Sequence, residues 1–141
     1  MIYVTHPLED ESKTLTHQRE LQGRFFTAQI IRYLPEYPIF NFPLNWVVMR
    51  KEMGLATTEP ETLNKAVQFL AKADAAIFIM LPGRELCNRS QVEKLAARRL
   101  DIPCIEFPFL RQRYDQQYKQ NSLSADQKRA LNILQATLQN P

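Results

Sequence analysis

The chain has 141 residues, of which 45% are hydrophobic and 23% charged, and a formal net charge of +3, a composition typical of one globular domain with its own core. No stretch approaches the roughly 18 uninterrupted apolar residues of a membrane span, and the opening residues carry neither the basic nor the apolar region of a signal peptide. We therefore expect a cytoplasmic protein with no membrane partner.

The cysteines and histidines are few, and their spacing matches no metal site. Cys87 and Cys104 form no C-x-x-C pair, and His6 and His17 have no ligand-like neighbours in the sequence. We expect no metal, no cofactor and no disulfide framework. Basic residues are frequent in the second half of the chain, but acidic residues are interspersed and no aromatic platform accompanies them, so direct nucleic-acid binding is not expected.

The first half of the chain alternates strand and helix patterns. The run "MIYVTH" predicts a strand, and residues 11–34 have helical spacing, with Leu21, Phe25 and Ala28 predicted to face the core. The prolines of "LPEYP" end that helix, and "IFNF" predicts a second strand. Apolar and polar residues mix without a clear period over residues 43–60. This pattern predicts a loop, and a loop of this length often serves as a lid or binding loop.

The second half continues this alternation. Thr58 and Glu61 have the capping-box spacing of a helix start, and the continuous apolar run "AAIFIML" at 75–81 predicts a strand that ends at the following Pro-Gly pair. A helix is predicted over about 89–100, and "IPCIEF" is the last predicted strand. The residues predicted to face inward from the 89–100 helix are Val92, Leu95 and Ala96.

This order of elements predicts an α/β fold. We expect a flavodoxin- or Rossmann-like parallel sheet with helices on both faces, and with 75–81 as a central strand covered on both sides. Residues 1–110 are predicted to form this domain. Residues 111–141 are predicted to be a polar linker or frayed helix and then a C-terminal helix, which Ser124 and Gln127 cap and which packs either on the domain or on a partner subunit.

Ligands of open parallel sheets bind beyond the carboxyl ends of the strands. Three segments meet there in the predicted topology: Tyr3–Leu8, Asn41–Trp46 and Pro82–Glu93. The first segment contains His6, a candidate substrate-binding residue. In the third, Gly83 allows the backbone to turn sharply and a ligand to approach closely.

Glu93 is the candidate for chemistry. Its spacing places it beside Val92, at the flank of the predicted apolar stripe, where a carboxylate would be partly desolvated and would face the site. Such a glutamate can attack an anomeric carbon or stabilise an oxocarbenium-like centre. The alternative is a surface glutamate that pairs with a basic neighbour on the helix, Lys94, Arg89 or Arg98.

Two stretches resemble the nucleoside 2-deoxyribosyltransferase superfamily. The opening "MIYVTHP" is similar to its "IYLASP", and "ADAAIFIMLPGRE" followed by "VEKLAARRLDIPCIEF" is similar to its central strand, glycine turn, glutamate-bearing helix and last strand. Small bacterial and phage members carry "MLPGWE" and a later "E…A…GIPV". The resemblance covers residues 1–107 and is strongest over 74–107.

The resemblance implies roles for several residues. Glu93 matches the nucleophilic glutamate, which attacks the anomeric carbon, releases the base and passes the sugar to another base or to water. Tyr3 matches the tyrosine that holds this nucleophile by a hydrogen bond. Arg19 matches an arginine of the first helix. The resemblance also implies a homo-oligomer in which neighbouring subunits complete each pocket.

The sequence departs from the family pattern at positions that contact the substrate. Asn64 stands where the family has an aspartate, and it can hydrogen-bond a base or sugar but not transfer a proton. Arg89 and Arg84 replace a glycine and a tryptophan, and Cys87 lies where a serine or aspartate is usual. These arginines either fill the pocket or clamp a phosphate, which favours a nucleotide over a free nucleoside.

Three functions therefore stay open from the sequence. The first is an N-glycosidase or deoxyribosyltransferase-like enzyme that acts on a nucleoside or nucleotide. The second is a non-catalytic nucleotide-binding or interaction module that retains the fold. The third is a structural domain whose terminal helix meets a protein partner.

Overall fold

The computed structural model describes residues 1–54 and 58–140, and its elements follow the alternating order that the sequence predicts. The strands are β1 (Ile2–Thr5), β2 (Ile39–Asn41), β3 (Ala75–Ile79) and β4 (Cys104–Phe107). The helices are α1 (Lys13–Tyr33), α2 (Met49–Glu52), α3 (Glu59–Leu70), α4 (Asn88–Arg99), α5 (Arg111–Gln120) and α6 (Ala125–Gln139). A π-helical turn, Leu44–Val48, precedes α2, and a 3₁₀ turn, Arg84–Leu86, precedes α4.

The four strands form a parallel sheet in the order β2-β1-β3-β4. This confirms the predicted flavodoxin- or Rossmann-like α/β fold. All five residues of β3 are buried and the strand lies between β1 and β4, which confirms its predicted central position. Because the strand order reverses between β1 and β3, the ligand crevice of this topology lies at their carboxyl ends.

Helices cover both faces of the sheet, as predicted. On one face, Ile77 of β3 belongs to the same buried cluster as Phe26 of α1 and Leu131 of α6. On the other face, Tyr3 of β1 shares a cluster with Leu70 of α3 and with residues of α4. The C-terminal helix therefore packs on the sheet of its own chain.

The polar segment after β4 is a regular helix, α5, rather than a linker. Its Tyr114 ring lies 5.8 Å from the ring of Phe26 and 5.9 Å from that of Phe25. Aromatic contacts on one side of α5 thus anchor it to α1, and its many polar side chains cover the outer surface.

The predicted core face of α1 is only partly confirmed, because Phe25 packs against the buried core but the other two predicted residues do not. Leu21 is 49% exposed and Ala28 is also exposed. The buried residues of α1 are Arg19, Gly23, Phe26, Gln29 and Ile30. A hydrophobic-spacing rule misses this face because an arginine, a glycine and a glutamine occupy inner positions.

The segment predicted as a loop at 43–60 is largely helical in its described part. Asn41 accepts a hydrogen bond from the backbone of Leu44 at 3.0 Å, and the Trp46 ring stacks at 6.1 Å from Phe42, so the chain turns into helix directly after β2. Residues 55–57 lie outside the described residues. Among the helices of the described ranges, none combines the length and apolar character that crossing a membrane requires.

Candidate functional site

A buried carboxylate lies at the carboxyl end of β1. Glu93 of α4 has no exposed surface. The Tyr3 hydroxyl donates a hydrogen bond to its Oε2, and the Thr5 hydroxyl donates to its Oε1 at 2.8 Å. Tyr3 and Thr5 are two positions apart on β1, so their side chains point to the same face of the sheet. This is the face against which α4 packs.

The buried face of α4 explains why Glu93 reaches this position. The buried residues are Ser90, Glu93 and Ala97, and Leu95 is 48% exposed. Of the predicted inward residues, Ala96 packs against the buried cluster and Val92 is half-buried, but Leu95 is exposed, and Glu93 lies at the centre of the inner face rather than at its flank. Small side chains one turn before and after Glu93 allow the helix to lie close to the sheet.

Arg89 is the ionic partner of this carboxylate. Its Nη1 lies 3.2 Å from Glu93 Oε1 and donates to the Thr5 hydroxyl at 2.7 Å, and its Nη2 donates to the backbone oxygen of His6 at 2.8 Å. The guanidinium also lies 5.9 Å from the Phe42 ring centre. The i, i+4 pairing that the sequence suggested for a surface glutamate is present, but it is buried.

Burial and charge act on the protonation of the site in opposite directions. Burial raises the pKa of Glu93 because the charged carboxylate loses its water, whereas Arg89 and the hydroxyls of Tyr3 and Thr5 oppose that rise. Burial, together with the charge of Glu93, raises the pKa of the Tyr3 phenol. Tyr3 therefore keeps its proton and acts as a donor to Glu93.

A cavity of about 550 Å³ opens beside this cluster. Its lining includes Arg19 of α1, Gly83 of the turn after β3, and Asn88 and Arg89 at the amino end of α4. Glu93 and Tyr3 are not part of the lining. Arg89 both pairs with Glu93 and lines the cavity, so it lies between the buried carboxylate and the open space.

Arg19 and Gly83 are placed together in the cavity wall. Arg19 is 5% exposed, and its Nη2 donates to the backbone oxygen of Pro82 at 2.9 Å. Gly83 has a φ of 91°, and a Cβ there would clash with the Arg19 guanidinium. The absent side chain of Gly83 thus makes room for Arg19. The buried Nε of Arg19 has no hydrogen-bond partner among the described residues.

His6 is buried, and both its ring nitrogens form hydrogen bonds. Nδ1 lies 2.9 Å from the Pro7 carbonyl oxygen, so this nitrogen carries the proton and donates, and Nε2 accepts from the Asn41 side-chain amide at 3.0 Å. His6 does not line the cavity. Its observed contacts fix the loop after β1, whose backbone oxygen in turn holds Arg89.

The burial of His6 predicts a loss of stability in acid. Burial, with smaller contributions from Arg89 and Arg19, lowers the pKa of His6 from 6.5 to about 4. Between these values the unfolded chain binds a proton that the folded chain does not, so stability falls as the pH decreases through this window, by about 3 kcal/mol in total. Urea unfolding at pH 7 and pH 4 measures this loss.

Two substitutions isolate the contribution of His6 to the pH dependence. A His6→Gln variant is expected to lose about 3 kcal/mol less than the wild type between pH 7 and pH 4, whatever its stability at pH 7. The matched variant His17→Gln changes an exposed histidine of α1 and is expected to retain the wild-type pH dependence. An equal loss in the wild type and in His6→Gln would contradict the assignment.

Two further predicted substrate-binding residues, besides His6, do not line the cavity. Asn64 is exposed on α3, whose Thr62 and Leu63 line the cavity instead. Arg84 is exposed and lines a second, shallower depression between the end of β4 and α6. Thr5 and Asn41 were not predicted individually as site residues; each is a polar residue that ends an otherwise apolar strand.

The described residues contain no group of three or more histidines, cysteines or carboxylates placed to hold a metal ion. The cluster is built from a carboxylate, two hydroxyls and a guanidinium, and it lies at the crevice that the strand order creates. Comparison with protein-family models, with curated proteins and with solved structures finds no match to this chain.

Proposed function

We propose that this protein cleaves the N-glycosidic bond of a nucleotide with Glu93 as the nucleophile, and that it is a relative of the nucleoside 2-deoxyribosyltransferases. The observation that carries the proposal is the hydrogen bond from Tyr3 to Glu93. These residues lie 90 positions apart, and their meeting is what the motif resemblance implies for a nucleophile and its positioning tyrosine.

The reaction follows from the chemistry of a buried carboxylate. A Glu93 oxygen forms an ester bond to the anomeric carbon while the carbon–nitrogen bond to the base breaks, and the base leaves with the electron pair and takes a proton from solvent. Water or a second base then attacks the anomeric carbon and releases Glu93. Tyr3 and Thr5 each hold one carboxylate oxygen and so fix the direction of attack.

The cavity supports a phosphorylated substrate. Arg19 and Arg89 line it together with the acidic residues Glu9, Asp10 and Glu59, and the amino end of α4, where Cys87 makes no side-chain capping bond, belongs to the same lining. A helix amino end and two guanidinium groups favour a phosphate through charge-assisted hydrogen bonds.

A non-catalytic nucleotide-binding protein is the second candidate. The observation that favours it is the complete burial of Glu93, whose two oxygens are occupied by Tyr3, Thr5 and Arg89. In this case the carboxylate serves to hold Arg89 in the cavity wall, and the ligand is bound but not consumed.

Release of free base from a panel of nucleosides, nucleoside monophosphates and NAD separates the two candidates. Chromatography measures the base, and thermal unfolding measures binding in parallel. The enzyme is expected to release base from at least one monophosphate. A monophosphate that raises the melting temperature by several degrees without being consumed would support the binding protein instead.

A further inference from the structure

Arg89 covers the carboxylate that is proposed to react. Its side chain is 11% exposed and Glu93 is fully buried beneath it. Its Nη1 contacts Glu93, and Arg89 lines the cavity whereas Glu93 does not. A sugar in the cavity therefore cannot reach Glu93 while Arg89 keeps this position.

The contacts of Arg89 determine what can displace it. Nη1 donates to Thr5 and Glu93, and Nη2 donates to the His6 backbone oxygen. If the Arg89 guanidinium moves from these acceptors into the cavity, it loses its ionic contact with the Glu93 carboxylate. A neutral ligand offers no negative charge that would replace this contact. A phosphate offers a dianion with several acceptor oxygens, which can receive two parallel N–H donors from one arginine.

Arg19 is a second cation in the wall of the same cavity. Its Nη2 donates to the Pro82 carbonyl, and its Nη1 donates to the Glu9 backbone oxygen at 3.3 Å and lies 3.8 Å from the Asp10 carboxylate. A phosphate held there lies in the same cavity that Arg89 borders, so the two arginines can share it. The site thus has one cation over Glu93 and a second cation in the same cavity wall.

We propose that Arg89 is the specificity-determining residue of the site: it closes Glu93 in the free protein and moves into the cavity only when an anionic group on the ligand binds there. This inference rests on the proposed function, since it concerns access to the nucleophile. Arg89 selects nucleotides over nucleosides because a nucleoside lacks the anion that replaces Glu93 as its partner.

The substrate preference of two alanine variants tests this role. In Arg89→Ala the ratio of kcat/KM for a monophosphate to that for its nucleoside is expected to fall by roughly tenfold or more, with the nucleoside rate rising, because the cover is absent and a charged hydrogen-bond donor is lost. The matched variant Arg98→Ala changes an exposed arginine of the same helix and is expected to retain the wild-type ratio. An unchanged ratio in Arg89→Ala would overturn the inference.

Arginine side-chain NMR tests the movement itself without any turnover. The Arg89 side-chain signal, assigned by its loss in Arg89→Lys, is expected to shift when ribose 5-phosphate is added and to stay in place with ribose. No shift with ribose 5-phosphate overturns the inference, even where the protein releases base. A shift in a protein that releases no base supports the anion-driven movement while contradicting the proposed cleavage.

Discussion

Replacing Glu93 with glutamine is expected to lower the rate of base release from a nucleoside monophosphate by at least about a thousandfold. The amide is nearly the same size, and its oxygen can still accept a hydrogen bond from the Tyr3 hydroxyl. It cannot form a stable ester with the anomeric carbon. Steady-state kinetics with chromatographic detection of the free base measure the change. The loss is expected in kcat rather than in KM, because the proposed phosphate contacts line the cavity and Glu93 does not.

The matched control is Glu106→Gln, which changes an exposed carboxylate on β4 that pairs with Lys94 at 3.4 Å. This variant is expected to turn over like the wild type. Because Arg89 loses its ionic partner in Glu93→Gln, the folding of that variant is checked by thermal unfolding with and without the monophosphate. A folded Glu93→Gln protein that still binds the nucleotide and releases base at the wild-type rate would exclude Glu93 as the nucleophile.

Gly23→Ala is expected to destabilise the fold by about 3 kcal/mol, although alanine is the better helix former by about 1 kcal/mol. A Cβ at this position of α1 would clash with the His6 imidazole. His6 has no free direction of movement, because its two ring nitrogens are bonded to the Pro7 carbonyl and to Asn41. Displacing the ring would leave buried polar groups without partners. Urea unfolding measures the loss.

Gln18→Ala provides the reference for this experiment, because Gln18 is exposed on the same helix. Its effect on the free energy of unfolding is expected to stay within about 0.5 kcal/mol. If Gly23→Ala were instead as stable as the wild type or more stable, His6 would have room to move, and the packing between α1 and the loop after β1 would be looser than described.

The architecture was predictable because it depends on coarse patterns. A continuous apolar run at 75–81 and the alternation of strands and helices are enough to predict a parallel sheet with a buried central strand. The boundaries differ by a few residues; the central strand ends at Ile79 and the last strand begins at Cys104. The polar α5 was predicted less well, since its Tyr114 and Tyr118 stand among charged residues that hide the aromatic face.

The faces of two helices were not predictable from hydrophobic spacing. Leu21 of α1 and Leu95 of α4 are exposed, while Gly23 and Glu93 face inward. In both helices the inner position is determined by a contact with β1 or the loop that follows it: Gly23 meets His6, and Glu93 meets Tyr3. Such contacts depend on tertiary placement, and a buried polar residue does not contribute to an apolar stripe.

The site was only partly predictable for the same reason. The motif resemblance pairs Tyr3 with Glu93, and the structure brings them into hydrogen-bond contact. The position of Arg89 over the carboxylate depends on the direction of its side chain. Sequence spacing alone does not determine whether that side chain fills the pocket or reaches a ligand. Arg84 follows Gly83 directly, but the turn at Gly83 directs it to the other side of the crevice.

Trapping the covalent intermediate tests the central claim most directly. The wild-type protein is incubated with a nucleoside monophosphate that carries fluorine at the 2′ position, which slows formation and hydrolysis of a glycosyl-enzyme by disfavouring the oxocarbenium-like transition state. Trypsin then releases Ser90–Lys94, a peptide in which Glu93 is the one side-chain carboxylate. We expect this peptide to gain the mass of the sugar phosphate as one equivalent of base appears. Release of base with this peptide unlabelled, or with the label on another residue, would contradict nucleophilic attack by Glu93.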